Sequence, residues 1–66
     1  MKLQIRAIRQ AQRMTIQELA ETTGLGYITI IRYETGARMP KFDDAVRIAN
    51  ALGVQVTDLI ERKVPR

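Results

Sequence analysis

The stretch from Thr15 to Gly36 reads TIQELAETTGLGYITIIRYETG and carries the signals of two helices with a turn between them. Thr15 and Glu18 match the capping box T-x-x-E, in which each side chain bonds the other residue's backbone amide. Gly24 is the natural left-handed end of this helix, and a Thr-Gly pair ends the next one. The sequence therefore predicts a helix over 16–22 and a second helix over 27–35.

The assignment of the second segment as a helix needs support, because YITIIRYE at 27–34 is rich in β-branched and aromatic residues and, read alone, would be assigned as a strand. Its position between a capped helix and a Thr-Gly terminator favours a helix. At about 100° per residue, Ile30 and Tyr33 then share one side, and Ile28, Arg32 and Thr35 share the opposite side. Two short helices joined by a glycine turn form a helix-turn-helix, the unit that places one helix in the DNA major groove.

The composition limits the possible functions. The chain has 66 residues and no cysteine or histidine, and its sequence contains no serine. It lacks the residues for Ser-His or Cys-His nucleophile pairs and for zinc coordination by His and Cys. We therefore expect one domain over 1–66 that is not an enzyme and that holds no metal or cofactor. No pocket for a small-molecule effector is expected in so small a core.

The charge points to an anionic partner, because the formal net charge is +4 and the pI is about 10.1. The chain has neither the long apolar run nor the basic amphipathic helix with bulky anchors that a membrane partner would require. Its first ten residues, MKLQIRAIRQ, contain no apolar signal core. Double-stranded DNA is the expected partner, and the cytoplasm is the expected location.

Three more helices are predicted around the central pair, at about 2–13, 42–52 and 57–62. The first has Ile5, Ile8 and Ala11 on one side. Beside them runs a basic stripe, which contains Lys2, Arg6, Arg9 and Arg13. Lys2 and Arg6 are expected to be solvated. The helix at 42–52 has acidic residues in its first turn, Gly53 after its end, and five residues predicted to point inward: Phe42, Val46, Ile48, Ala49 and Leu52.

The segment from Ile5 to Ile60 resembles the Cro/repressor-type helix-turn-helix family, also called XRE-like. The resemblance is carried by TIQELA at 15–20, Gly24, RYETG at 32–36 followed by Pro40, and RIANALGV at 47–54, in this order and at the family's spacing. It implies an all-α, compact five-helix, lambda-repressor-like domain. It also implies a sequence-specific DNA-binding transcriptional regulator, a repressor, that binds a near-palindromic operator as a homodimer.

The resemblance also assigns roles to individual residues. Arg9 and Glu34 match the positions that form a partly buried ion pair between the first and third helices. Base-reading positions fall on Tyr27, Ile28, Thr29 and Arg32, and DNA-backbone positions fall on Thr15, Gln17, Arg38 and Lys41. The dimer surface is predicted from the residues themselves, because the segment after Gly53 is too apolar to be idle in a monomer; it comprises Val54, Val56, Leu59 and Ile60 with flanking Arg62, although Leu59 fits the monomer core better.

Three positions depart from the family pattern. Ile16 stands where many relatives have a phosphate-contacting glutamine, and Gly26 replaces the usual Ser or Thr cap. Ile31 stands where a polar residue is usual, so that Ile28 and Ile31 leave apolar surface beside Arg32. This surface permits an alternative function, a protein-interaction module of the antitoxin or adaptor kind on the same fold.

Overall fold

The computed structural model describes residues 3–60, which form four α-helices and one 3₁₀ helix. These are α1 (Ile5–Ala11), α2 (Ile16–Thr23), α3 (Tyr27–Thr35), α4 (Phe42–Leu52) and the 3₁₀ helix (Val56–Leu59). The predicted all-α fold is confirmed. The predicted bounds of α3 and α4 match the structure, and α2 extends one residue further than predicted.

The first and last elements differ from their predictions. The helix predicted at 2–13 ends earlier, at Ala11, because the chain enters the left-handed region at Arg13. The helix predicted at 57–62 is a four-residue 3₁₀ turn, since Ile60 already has extended backbone angles of φ −97 and ψ 124. The fold therefore has four α-helices rather than five within residues 3–60. Lys2 and residues 61–62 lie outside the described part of the chain.

Each of the five elements contributes one fully buried aliphatic side chain to a single core. These residues are Ile5, Leu19, Ile30, Ile48 and Leu59. Burying a side chain of this size stabilises a fold by about 1.5–3 kcal/mol relative to leaving it in water. The helix-turn-helix is therefore packed against the residues on both sides of it, from α1 to the 3₁₀ helix.

Two residues predicted to be apolar-face positions are exposed rather than part of this core. Phe42 is 73% exposed, although the pattern of α4 placed it inward, and Ala11 is exposed at the end of α1. Both are terminal residues of their helices, where the apolar stripe continues past the edge of the core. Further along α4 the prediction is confirmed for Ile48, Ala49 and Leu52, which are buried, whereas Val46 is half-buried outside the core cluster and Ala45 packs against that cluster instead.

The ends of α2 are held by the predicted capping box and glycine. Thr15 Oγ1 accepts a hydrogen bond from the Glu18 amide at 3.0 Å, and the Glu18 carboxylate accepts one from the Thr15 amide at 2.9 Å. The bond from the Thr15 amide, and after it the Thr15 hydroxyl, hold the pKa of the Glu18 carboxyl below its ordinary value of 4.5. At the other end, Gly24 has φ 75, a conformation that favours glycine.

The N-terminal residues are bonded to the C-terminal third of the chain at two places. Leu3 forms an isolated antiparallel bridge with Ile60, and the Gln4 amide donates to the Leu59 carbonyl at 2.7 Å. Gln12 Nε2 donates to the Leu52 carbonyl at 2.6 Å, which satisfies an orphan carbonyl at the end of α4. Residues at both ends of α1 therefore contact the C-terminal third of the chain.

A buried phenol connects α3 to α4. The Tyr33 hydroxyl donates a 2.6 Å hydrogen bond to Asp44 Oδ2, and Tyr33 is only 4% exposed. The bond to Asp44 raises the pKa of Tyr33 above its ordinary value of 10.0, and burial of the ring adds to this effect. The neutral phenol is thus the form that the fold stabilises.

We predict that folding stability falls as the pH rises through the raised pKa of Tyr33, and that this contribution is fully present below pH 10.0. In a Tyr27→Phe background, in which Tyr33 is the only tyrosine, its phenolate absorbance should titrate above that pH. Tyr33→Phe should cost roughly 1.5–3 kcal/mol at neutral pH, because a charge-assisted bond is lost. Phenolate formation at the ordinary pKa would contradict the predicted effect of Asp44.

Candidate nucleic-acid interface

One face of α3 is packed and the other is open, as the 100° spacing predicted. Ile30 and Tyr33 are buried, whereas Tyr27 is 50% exposed and Ile28 is 56% exposed. Arg32 is exposed on the same outer side, and Ile31 is half-buried at its edge. The helix therefore presents a mixed apolar and cationic surface to solvent.

A buried ion pair fixes α3 against α1, and it confirms the predicted contact between Arg9 and Glu34. Arg9 Nε lies 2.6 Å from Glu34 Oε2, and Arg9 Nη2 lies 3.2 Å from Glu34 Oε1. The Glu34 side chain has no exposed surface, and the Arg9 side chain is 9% exposed. The third nitrogen, Arg9 Nη1, donates to the Met14 carbonyl at 2.8 Å, so the guanidinium also holds the loop before α2.

Arg6, for which a solvated role was predicted, also contacts this carboxylate. Its Nε lies 3.4 Å from Glu34 Oε1, and its side chain is 55% exposed. Arg6 lies about one helical turn from Arg9 on nearly the same side of α1, so it reaches the carboxylate while more than half of its side chain stays in solvent, as predicted. Glu34 thus receives one buried and one exposed arginine.

We predict that Glu34→Gln lowers the free energy of unfolding by roughly 3–5 kcal/mol, because it leaves the Arg9 charge buried without a counter-ion. Arg6→Gln is the matched control, since it removes the exposed arginine from the same carboxylate and should cost less than about 1 kcal/mol. Urea denaturation of both variants measures the difference. Equal losses would show that the two arginines contribute alike and would contradict the prediction.

The four predicted base-reading residues all lie in the first two turns of α3. Tyr27, Ile28 and Arg32 are exposed, and Thr29 is half-buried at the border between the open and packed faces. Ile28 and Arg32 are four residues apart and therefore neighbours on the helix surface. No ion pair occupies Arg32 within residues 3–60, so its guanidinium is open to an added ligand.

The four predicted backbone-contacting residues, Thr15, Gln17, Arg38 and Lys41, are all exposed. The Arg38 amide donates to the Arg32 carbonyl at 3.2 Å, which holds the loop after α3 close to the end of that helix. This bond, which the sequence did not predict, fixes the Arg38 backbone at the C-terminal end of α3. The same loop exposes Met39 and leads to the exposed Phe42, so apolar surface adjoins its basic residues.

The predicted dimer residues divide into two groups. Leu59 is 1% exposed and belongs to the monomer core, as was predicted for this residue from the sequence. Val54, Val56 and Ile60 are only half-buried within the monomer. Arg62 lies outside the described residues.

Within residues 3–60, no group of acidic side chains is arranged to hold a metal ion. No helix of that part of the chain is long and apolar enough to cross a membrane. The open surface of α3 is therefore the feature that any functional reading has to explain.

Two short helices joined at a left-handed glycine, with the second exposed along one face, define a small helix-turn-helix domain. A family model described as helix-turn-helix matches residues 5–59, which is most of the chain. The protein therefore belongs to the Cro/C1-type, or XRE, helix-turn-helix family, whose members are DNA-binding regulators. A search of the curated proteins found no match to this chain.

Proposed function

We propose that the protein is a sequence-specific transcriptional repressor that inserts α3 into the major groove of a near-palindromic operator. The observation that carries this proposal is the exposed Arg32 on a helix whose opposite face is fixed by the buried Glu34. A rigid helix that presents an arginine fits direct readout, because base contacts require side chains in defined positions.

Arg32 is proposed as the main base reader. Its planar guanidinium can bond O6 and N7 of one guanine together, a contact worth about 1–3 kcal/mol of discrimination. Ile28, its neighbour on the helix surface, would pack against a thymine methyl group. Thr29 would bond a base edge or phosphate, and the exposed Tyr27 hydroxyl would reach a phosphate.

The DNA backbone would be contacted on both sides of α3. Thr15 Oγ1 accepts from the Glu18 amide and its hydroxyl also lies against the Glu18 carboxylate, so a phosphate oxygen would compete with that carboxylate for the hydroxyl proton. The Glu18 carboxylate caps the same helix end and opposes a phosphate there, so we place more of the backbone affinity on other residues. These are Arg38 and Lys41, which follow α3, together with Gln17.

A homodimer is proposed from the half-buried apolar side chains after α4. Val54, Val56 and Ile60 keep part of their surface in solvent, and a second copy would cover it, with Arg62 at the edge. Two α3 helices would then reach half-sites whose centres lie roughly 34–36 Å apart. Occupation of such an operator is sufficient for repression and needs no catalytic step, no metal and no cofactor. A DNA target also fits the cytoplasmic location expected from the sequence.

We predict that the protein binds mixed-sequence duplex DNA and that affinity falls steeply with salt, since each neutralised phosphate releases condensed counterions. Fluorescence anisotropy with a labelled duplex from roughly 50 to 200 mM salt measures this slope. The matched control is the double variant Arg38→Gln/Lys41→Gln, measured on the same duplex. Its slope of log affinity against log salt concentration should be smaller in magnitude by about two.

Failure to bind any duplex at the lowest salt would overturn the DNA-binding proposal. It would favour the second candidate, a protein-interaction module, which rests on the 56% exposure of Ile28 beside the half-buried Ile31. Ile28→Asp should then abolish capture of a protein partner while leaving the fold intact. For a DNA reader, the same variant should instead weaken binding to the selected operator.

We predict that Arg32→Lys relaxes base preference at one position of each half-site, because lysine keeps the charge but cannot form the bidentate contact. Selection of bound sites from random duplexes, carried out with both proteins, measures the preference and the half-site spacing together. Loss of affinity without a change in the selected sequence would identify Arg32 as a phosphate contact. A single half-site without a repeat would argue against the dimer.

A further inference from the structure

Within residues 3–60, four turns contain a residue in the left-handed conformation, and one of these residues is not glycine. Gly24, Gly36 and Gly53 have φ of 75, 81 and 70 after α2, α3 and α4. The corresponding residue after α1 is Arg13, with φ 56. An arginine Cβ is disfavoured in this region, whereas glycine is not. This chain therefore uses glycine at three such positions and a cation at the fourth.

The backbone around Arg13 is a complete helix-ending motif. The Arg13 amide donates to the Gln10 carbonyl at 3.0 Å, and the Met14 amide donates to the Arg9 carbonyl at 3.1 Å. These are the two bonds of the Schellman motif, whose left-handed residue is usually glycine. The backbone thus favours glycine at position 13, and nothing in the folding of α1 requires an arginine side chain.

The Arg13 side chain also has no described structural partner. It is exposed, and no carboxylate of residues 3–60 lies within ion-pair distance of it. Met14, the next residue, packs against the core, and its carbonyl is held by Arg9. Because Met14 points inward, Arg13 and Thr15 lie on the outer side of the loop. Their Cα atoms are at most about 7 Å apart, since only Met14 lies between them.

We propose that Arg13 is a DNA-phosphate contact, retained in an unfavourable backbone conformation because of its charge. This inference rests on the proposed function, and it adds to the α2 end of the interface a cation that the resemblance did not assign. A cation is useful at that end, because the Glu18 carboxylate occupies the helix start beside Thr15 and repels a phosphate. Arg13 supplies the opposite charge within reach of the same DNA strand.

A competing explanation is that Arg13 stabilises the fold by interacting with the carbonyl end of the α1 dipole. The two explanations predict opposite effects of Arg13→Gly on stability. If the side chain serves DNA, the variant becomes more stable, because glycine relieves the left-handed strain. If the side chain serves the helix end, the variant becomes less stable.

The experiment compares thermal unfolding and duplex binding for three variants of the full chain. Arg13→Gly should raise the unfolding midpoint by roughly 3–6 °C and weaken binding about threefold to tenfold at low salt. Arg13→Gln keeps the strained backbone, so it should show the same binding loss with little change in midpoint. Both should lower the salt slope by about one per protomer bound. Arg47→Gln is the charge-matched control, because Arg47 lies on α4 beside Thr22, far along α2 from Thr15.

Each outcome separates this inference from the function on which it rests. If the wild-type protein binds with a steep salt slope but Arg13→Gly and Arg13→Gln bind equally well, the Arg13 contact is refuted and the DNA-binding function stands. If Arg47→Gln weakens binding as much as Arg13→Gln does, net charge explains both losses and the contact is again refuted. A lower midpoint for Arg13→Gly would refute the claim that the arginine opposes the fold. Absence of wild-type binding would overturn the proposed function itself.

Discussion

The structure depends on one guanidinium that joins three parts of the chain. Two nitrogens of Arg9 bond the Glu34 carboxylate of α3, and the third bonds the Met14 carbonyl in the loop that leads to α2. A buried ion pair contributes little net stability, because desolvation of the two charges offsets their attraction. Its geometry, however, is demanding, since a planar fork satisfies a carboxylate in few orientations. The angle and register of α3 relative to α1 are thereby restricted, and the exposed face of α3 depends on them.

The helix-turn-helix could be predicted from sequence because each of its boundaries has a local chemical cause. Thr15 and Glu18 cap each other, and Gly24 and Gly36 adopt left-handed angles after α2 and α3. Such signals involve residues at most four apart, and they outweighed the strand-like composition of α3. The Arg9–Glu34 pair spans 25 positions and could not be read from local pattern. It was predicted only through resemblance to a family.

Two kinds of prediction failed. One concerned residues beyond the edge of the core, and the other concerned helix ends that no local sequence signal marks. A helical wheel places Phe42 on the apolar side of α4 but cannot show that the neighbouring elements stop short of it, and it is 73% exposed. The end of α1 was placed too late because Arg13, not a glycine, occupies the left-handed position. The roles of the candidate DNA-binding residues are a separate matter. Arg32 and Arg38 are exposed, but their division into base and phosphate contacts could not be predicted from local pattern, because it depends on the position of the DNA and not on interactions within the chain.

The bridge between Leu3 and Ile60 gives the fold a nearly circular topology. Two strands of backbone meet there in antiparallel fashion, so positions 57 apart in sequence are direct neighbours in space. A short peptide link across this point could close the backbone into a ring without displacing any helix. Ring closure at this point reduces the entropy of the unfolded chain far more than that of the folded chain, in which residues 3 and 60 already adjoin. The same adjacency makes the fold suited to circular permutation, with new termini opened at an exposed loop such as 36–39.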